Sequence, residues 1–398
     1  MVVACDIKEV LVFPLTKIAA DMSRRLTFVT YSILLCQIVC FADEPLATVN
    51  RDPSRFAMID TLVNEGVSKG DMAGAVVVVA SKEDVLYAAA FGQRQIEPVP
   101  ELMTLDTVFD LASLTKPIAT ATSTMILVDQ GLLDVTKPVQ TYLPEFGANG
   151  KDKVTVEQLL VHTSGLIPDN ALSDYKSGID KSWKNICALD LKSEPGASFA
   201  YSDVNFIVLG KLIEKLSGEP VDKFAAKNIF AKLGMDETTF NPNASLQARA
   251  ATTEKVDGVW LKGQVHDPRA ALLDGVAGHA GLFSTAKDLV KLGQTMLSKG
   301  KHNDVQIFTE EVFAEMTRPR TVPRGSRTLG WDHRSPYSAN RGDHLSESAF
   351  GHGGFTGTVL WIDPEKDLVF IFLSNRLHPD GMGNVNILAG KIASIVTQ

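Results

Sequence analysis

Apolar positions cluster in short alternating or continuous runs towards both ends of the chain and recur at helical spacing in its middle. Residues 73–80 and 85–91 read as two strands of a hairpin, with 81–84 as the turn. Residues 355–362 and 367–374 read as a second strand pair, joined through Asp363-Pro364-Glu365-Lys366 and expected beside the first; residues 385–396 read as a helix covering the sheet. From Ser113, apolar positions at Ile118, Ala121, Met125 and Val128 predict a helix that stops at Gly131. A second helix is expected behind Ser202, a capping residue, through Phe206, Gly210, Ile213 and Leu216 to Gly218, and Thr155 with Gln158 forms a capping box for a third that ends near His162. No repeat or low-complexity linker interrupts the chain. The expected fold class is mixed α/β (α+β): an antiparallel sheet flanked by helices with a mainly helical lobe inserted. The sheet lobe is expected at about 51–112 and 301–398 and the helical lobe at about 113–300, within one domain spanning 43–398.

The first 42 residues have a different character. Met22-Ser23-Arg24-Arg25 precedes an apolar run, 26–39, too short to span a bilayer comfortably, and Cys40-Phe41-Ala42 supplies small residues at a cleavage position. This is the pattern of a secretory signal peptide, with cleavage expected after Ala42, translation expected to begin at Met22, and a secreted or periplasmic product with no stable membrane span. Three of the four cysteines, Cys5, Cys36 and Cys40, would leave with it. Cys187 alone would remain, so no internal disulfide is expected.

Composition sets the class of the remainder. The chain has 398 residues, 45% hydrophobic and 22% charged, enough for a large core arranged as two lobes around a cleft. A net charge of -8, with no basic stripe and no phosphate-binding loop, excludes nucleic acid as the natural partner and points to a small-molecule or peptide substrate.

The candidate chemistry begins at Ser113-Leu114-Thr115-Lys116. A serine and a lysine three positions apart share one helix face, and a lysine amine in a desolvated site can be neutral enough to take a hydroxyl proton. The Ser113 N–H also lies near the positive end of the helix dipole, where an oxyanion is favoured. Two later segments complete the pattern: Tyr201-Ser202-Asp203 after the turn Glu194-Pro195-Gly196, and His352-Gly353-Gly354 before the run that starts at Phe355. In this order, with Gln158 to Gly165 and Gly278 to Thr285 around them, these segments resemble the serine beta-lactamase and penicillin-binding protein superfamily, in its class C-like branch with carboxypeptidase and esterase relatives. The resemblance covers roughly residues 60–396.

That resemblance implies a serine hydrolase working through an acyl-enzyme on Ser113, with Lys116 and Tyr201 sharing the proton work. The backbone N–H groups of Ser113 and Phe355 would form the oxyanion hole, and Asp203, His352, Gly354 and Phe355 would contact substrate. Two departures from the beta-lactamase pattern stand out. Asp203 replaces an asparagine whose amide could donate to substrate; ionised, it would instead pair with Lys116. His352 replaces a lysine and would be only partly charged near neutral pH, able to hold a substrate carboxylate in its protonated form. Both favour a D-alanyl-D-alanine carboxypeptidase-like or esterase-like enzyme over a beta-lactamase, with a non-turnover receptor for cell-wall peptides or beta-lactams as a further alternative. His266 and His279 could ligate zinc with a third residue, but no H-E-x-x-H or paired-cysteine spacing supports it, so neither metal nor cofactor is expected.

Overall fold

The computed structural model describes residues 44–398, so the signal peptide assigned to residues 1–42 lies outside the described residues. Residues 45–398 form one compact unit. Helix α1 (Pro53–Lys69) opens at Asp52, whose carboxylate accepts from the Arg55 N–H, and closes at Gly70. It leads into β1 (Gly74–Ala80) and β2 (Val85–Gln95). After the helical region the chain returns through β3 (Arg320–Val322), β4 (Gly325–Arg327), β5 (Asp332–Arg334), β6 (Phe350–Gly354), β7 (Thr358–Asp363) and β8 (Leu368–Ser374). All pair antiparallel in the order β2-β1-β8-β7-β6-β5-β4-β3, with Val49–Asn50 beyond β2. The expected neighbour relation of the two hairpins is therefore made by β1 against β8.

Both faces of the sheet are buried, which is why β1 reads as an uninterrupted valine run. Val77, Val79, Phe370 and Phe372 pack with Phe56, Ile59 and Val63 of α1 and with Ile392 and Val396 of the C-terminal helix Asn386–Val396. Val76, Val78, Ile371 and Leu373 face the other way, into a core shared with the helical region. Alternation along each strand thus glues two helical layers to one sheet, each fully buried branched side chain contributing about 1.5–3 kcal/mol of transfer energy.

Three elements of the helical region place chemistry. Helix α2 (Thr122–Asp129) continues from the Ser113 turn, α3 (Val156–Leu160) starts from the Thr155–Gln158 capping box, and α4 (Asp203–Ser217) starts from Ser202 and ends at Gly218. The region also contains strands: Leu282–Ser284 pairs with Phe109–Asp110 and Thr239–Phe240, and Thr252–Val256 pairs with Val259–Lys262.

Two local expectations are corrected. The helix from Ser113 is not regular: a 3-10 turn (Ala112–Leu114) is followed by a wide π turn (Lys116–Ala121) before α2. Pro117 has no N–H to offer the carbonyl four residues back, so the ordinary ladder cannot run through this segment. The strand expected over 355–362 begins three residues later. Phe355-Thr356-Gly357 is a tight turn, because Gly357 adopts a left-handed φ of 94° and returns its N–H to the Gly354 carbonyl at 3.0 Å. His352 and Gly354 therefore lie on a strand of their own, β6, and Phe355 lies in the turn rather than on the strand edge.

Candidate active site

Ser113 lines a cleft of about 560 Å³ together with Tyr201, Arg327, His352 and Gly354. The turn that presents it is braced from below. Ala112 holds a left-handed φ of 46°, and its N–H donates to the buried Asp110 carboxylate at 2.8 Å. The other Asp110 oxygen accepts the His266 N–H at 2.8 Å. Burial raises the Asp110 pKa, opposed by His266.

Lys116 is fully buried, and its ammonium lies against three oxygens. Ser113 Oγ is 2.9 Å from Nζ, the His279 carbonyl 3.1 Å and Asp203 Oδ1 2.6 Å. Burial pulls the lysine pKa down, but the Asp203 carboxylate and then Tyr201 override it, leaving the pKa above the ordinary lysine value. The expected pairing with Asp203 is thus present, and it overturns the neutral lysine expected from desolvation alone: Lys116 rests as an ammonium. Asp203 itself is pushed up by burial and down, more strongly, by Lys116 and His279.

Tyr201 ends the extended segment before α4. Ser202 caps that helix, accepting from Asn205 N–H at 3.2 Å while its hydroxyl donates to the Ile167 carbonyl at 2.7 Å. The Ser202 N–H donates to His162 Nδ1 at 3.0 Å, and the His162 ring lies 4.4 Å from the Tyr201 ring. Burial, with Arg327 and Lys116 nearby, holds His162 neutral. His162 is therefore more than a helix end: it fixes the backbone and ring of Tyr201. The buried Tyr201 hydroxyl closes no hydrogen bond of its own; burial raises its pKa, opposed by Lys116.

Two threonines tie the β6–β7 turn to the Ser113 turn. Thr356 Oγ1 donates to the Asp110 carbonyl at 2.7 Å and Thr358 Oγ1 to that of Leu111 at 3.0 Å. A Cβ on Gly354 would stand 2.2 Å from Thr358 Oγ1 and 2.4 Å from the Leu111 carbonyl oxygen, so only glycine permits this approach. Since β6 meets β5 at the single register pair Gly351–Asp332, its outer edge beyond Gly351 is open to an extended substrate. Gly354→Ala should push the Phe355 N–H out of register with Ser113. Acylation should slow by about 10²-fold, the scale of one lost oxyanion donor, while the far-ultraviolet dichroism stays that of the wild type. Phe355 is 58% exposed, with its ring between His266 at 5.2 Å and the Arg376 guanidinium at 4.4 Å.

His352 departs from expectation. It is buried, its Nδ1 lies 2.7 Å from the Gly353 carbonyl, and burial followed by Arg327 and Lys116 takes its pKa well below the ordinary histidine value. It is neutral across the physiological range, so it cannot supply the pH-dependent cation inferred from its residue type. A cation beside it on that wall is Arg327, on β4; Arg376 also lines the cleft. Its guanidinium is fully buried, bonded to Asp332 Oδ1 at 3.3 Å, with Nε and Nη2 lacking partners. It lies 6.0 Å from the Tyr201 ring centre and 5.9 Å from that of Phe199. Nothing local in the sequence marks Arg327 or Tyr337, whose ring covers Tyr201 at 4.8 Å; both arrive from a segment more than 120 positions downstream.

His266 and His279 do not share a site. His266 Nδ1 pairs with Glu254 at 3.1 Å, whereas His279 Nε2 meets Asp267 Oδ1 at 3.0 Å. Asp203, Asp267 and His279 bring ligand-type atoms within 4.8 Å of one another, and the Lys116 ammonium already supplies the positive charge there.

Comparisons with known proteins agree with this architecture. Residues 59–393 match the beta-lactamase family model. The chain is 33% identical over 387 residues to an N-acetylmuramyl-L-alanine amidase of Bacillus subtilis, covering 86% of this chain and 87% of that protein. It is 30% identical over 397 residues to a Salmonella agona protein named as a D-alanyl-D-alanine carboxypeptidase, covering 89% and 92%. In fold it is similar to a penicillin-binding protein homologue from Caulobacter crescentus (TM-score 0.70, 22% identity, 88% of this chain and 99% of that one). A class C beta-lactamase is similar at TM-score 0.70 and 19% identity, with 85% and 95% covered.

Proposed function

This chain belongs to the beta-lactamase family of serine hydrolases, and on that premise we propose that it cleaves an amide or ester next to a substrate carboxylate, in the manner of a D-alanyl-D-alanine carboxypeptidase or a related esterase, through an acyl-enzyme on Ser113. The observation that carries this reading is the 2.9 Å contact between Lys116 Nζ and Ser113 Oγ in a cleft that also presents an incompletely paired arginine. Ser113 Oγ attacks the carbonyl carbon, and the developing oxyanion is received by the N–H groups of Ser113 and Phe355. Tyr201 and Lys116 pass the proton to the leaving group, and water later releases the acyl group by the same route. Gly354 lets the substrate lie flat on β6, with neutral His352 as a hydrogen-bonding wall.

Arg327 takes the role of carboxylate anchor that residue type had suggested for His352. A guanidinium binds a carboxylate through two parallel N–H bonds and keeps its charge at every working pH. Michaelis constants for carboxylate substrates should therefore stay flat between about pH 6 and 8, where an ordinary histidine would titrate. Arg327→Gln should raise them by about 10-fold or more, the scale of a lost charged hydrogen bond, with little change for neutral esters; Arg327→Lys should recover part of the loss. Equal losses for both substrate classes would remove Arg327 from substrate recognition. The test of the whole reading is a panel on purified protein: peptides ending in D-alanyl-D-alanine, short neutral esters and penicillins. Turnover of the first two with slow release of penicillin supports it; rapid penicillin hydrolysis would favour the beta-lactamase reading, and acylation without release by any of the three a receptor.

Export belongs to the same proposal, supported by relatives named for cell-wall substrates and by the residue pattern before Asp43. Among the described residues no helix is long and apolar enough to cross a membrane. N-terminal sequencing of the mature protein should begin at Asp43, and expression from Met22 should export as well as expression from Met1.

A further inference from the structure

The contacts of Lys116 pose a chemical problem whose solution lies in this chain's own departure from the beta-lactamase pattern. A base must accept the proton of Ser113, and an ammonium cannot. Lys116 Nζ donates to Ser113 Oγ at 2.9 Å and to the His279 carbonyl at 3.1 Å, and it forms an ion pair with Asp203 Oδ1 at 2.6 Å. The first must lose a proton for catalysis, and the second, a backbone amide oxygen, has no useful basicity. Of these three oxygens, the Asp203 carboxylate is the one that can take a proton from Lys116 and leave it an amine.

We propose that Asp203 is the proton acceptor that frees Lys116 to act as base on Ser113. This rests on the acyl-enzyme reading above. In the resting state the pair is ammonium and carboxylate. A Lys116 N–H bond then breaks and an Asp203 O–H bond forms, giving amine and carboxylic acid with no change in net charge. The Ser113 O–H bond breaks next, its proton going to the Lys116 amine as Oγ bonds the acyl carbon. Lys116 afterwards passes a proton through Tyr201 to the leaving group, and Asp203 returns its own to Lys116. Every proton is accounted for and no outside reagent is needed.

The surroundings suit such a transfer. Asp203 is faced by Lys116, Tyr201, Asp169, Asp267 and His279. Lys116 and His279 favour its ionised form, whereas Asp267 opposes it, and the Asp203 charge raises the cost of ionising Asp169. Asp267 is itself committed, accepting from His279 Nε2 at 3.0 Å and from the backbone N–H groups of Arg269 and Ala270 at 3.0 and 2.8 Å. The Asp203 side chain keeps 20% of its surface. A substrate that covers this remaining surface would dry the pair, and a drier site favours the neutral amine and acid over the ion pair.

Ser113 phosphonylation by a fluorophosphonate, followed by mass spectrometry from about pH 5 to 10, isolates the step. The wild type should show a plateau through neutral pH. Asp203→Asn should label at least about 10²-fold more slowly at pH 7, the scale of a missing acid–base group, and its rate should climb about tenfold per pH unit as Lys116 must lose its proton to solvent. Asp203→Glu keeps a carboxylate and should stay within about tenfold of wild type with the plateau retained. An Asp203→Asn profile parallel to the wild type, at any rate, would overturn the proposal. If that variant does not fold, Asp203→Glu decides alone: a retained plateau supports the proposal, and a rate climbing with pH overturns it. Labelling that persists in Ser113→Ala would instead overturn the acyl-enzyme reading, and this inference with it.

Discussion

Ser113→Ala should bring covalent labelling to zero while leaving the fold intact. A fluorophosphonate or a penicillin is expected to add one mass to the wild-type protein and none to the variant, because among the described residues no other serine has both a lysine amine at 2.9 Å and the cleft in front of it. The substitution removes one oxygen from a side chain at the cleft wall, and the elements that shape the turn, Asp110 beneath Ala112 and Thr356 and Thr358 above, bond to backbone atoms that remain. Thermal unfolding of the variant should therefore match the wild type within a degree or two. A label that maps to another serine would refute the nucleophile assignment outright.

Lys116→Ala should lose both activity and stability, and the second loss carries a pH signature. Acylation should fall by about 10²–10⁴-fold, as for other positioned acid–base groups. Removing one partner of a buried ion pair costs about 3–5 kcal/mol when the other stays buried and charged; Asp203 keeps a fifth of its side-chain surface, so the low end of that range is expected. In the wild type the Asp203 pKa is depressed, so its contribution is present above the ordinary carboxylate range and lost as pH falls through the depressed value. With the ammonium gone, burial acts unopposed by Lys116, the pKa moves up, and the variant gains relative stability as Asp203 takes up its proton. The difference in melting temperature between wild type and variant should be largest near pH 7 and shrink towards about pH 4. A constant difference across that range would mean that Asp203 does not depend on Lys116 for its charge.

The sequence carried the reactive groups because each sits in a short motif with a local cause. Ser113 and Lys116 are neighbours through one turn of chain, Tyr201 stands one residue before the Ser202 cap of α4, and His352-Gly353-Gly354 precedes a tight turn. Both hairpins, the C-terminal helix and the capping box at Thr155 follow from alternation and end signals within about a dozen residues, and these local rules held. Proton states did not follow from residue type. A desolvated lysine becomes neutral and a histidine partly charged only when no stronger neighbour acts, and here Asp203 holds Lys116 as an ammonium while burial, Arg327 and Lys116 hold His352 neutral.

By itself, then, the sequence determined the family and an antiparallel sheet flanked by helices, and it singled out Ser113, Lys116 and Tyr201 as the candidate nucleophile and its partners, because periodicity, caps and turn chemistry act over short stretches of chain. Tertiary structure alone decided that Arg327 on β4 reaches the wall behind Tyr201 and that His162 locks the backbone at Ser202, and it set the expected pair of Asp203 and Lys116 at 2.6 Å. Charge and hydrogen bonding act through space over a few ångströms, and only the folded chain determines which residues, distant in sequence, come within that reach.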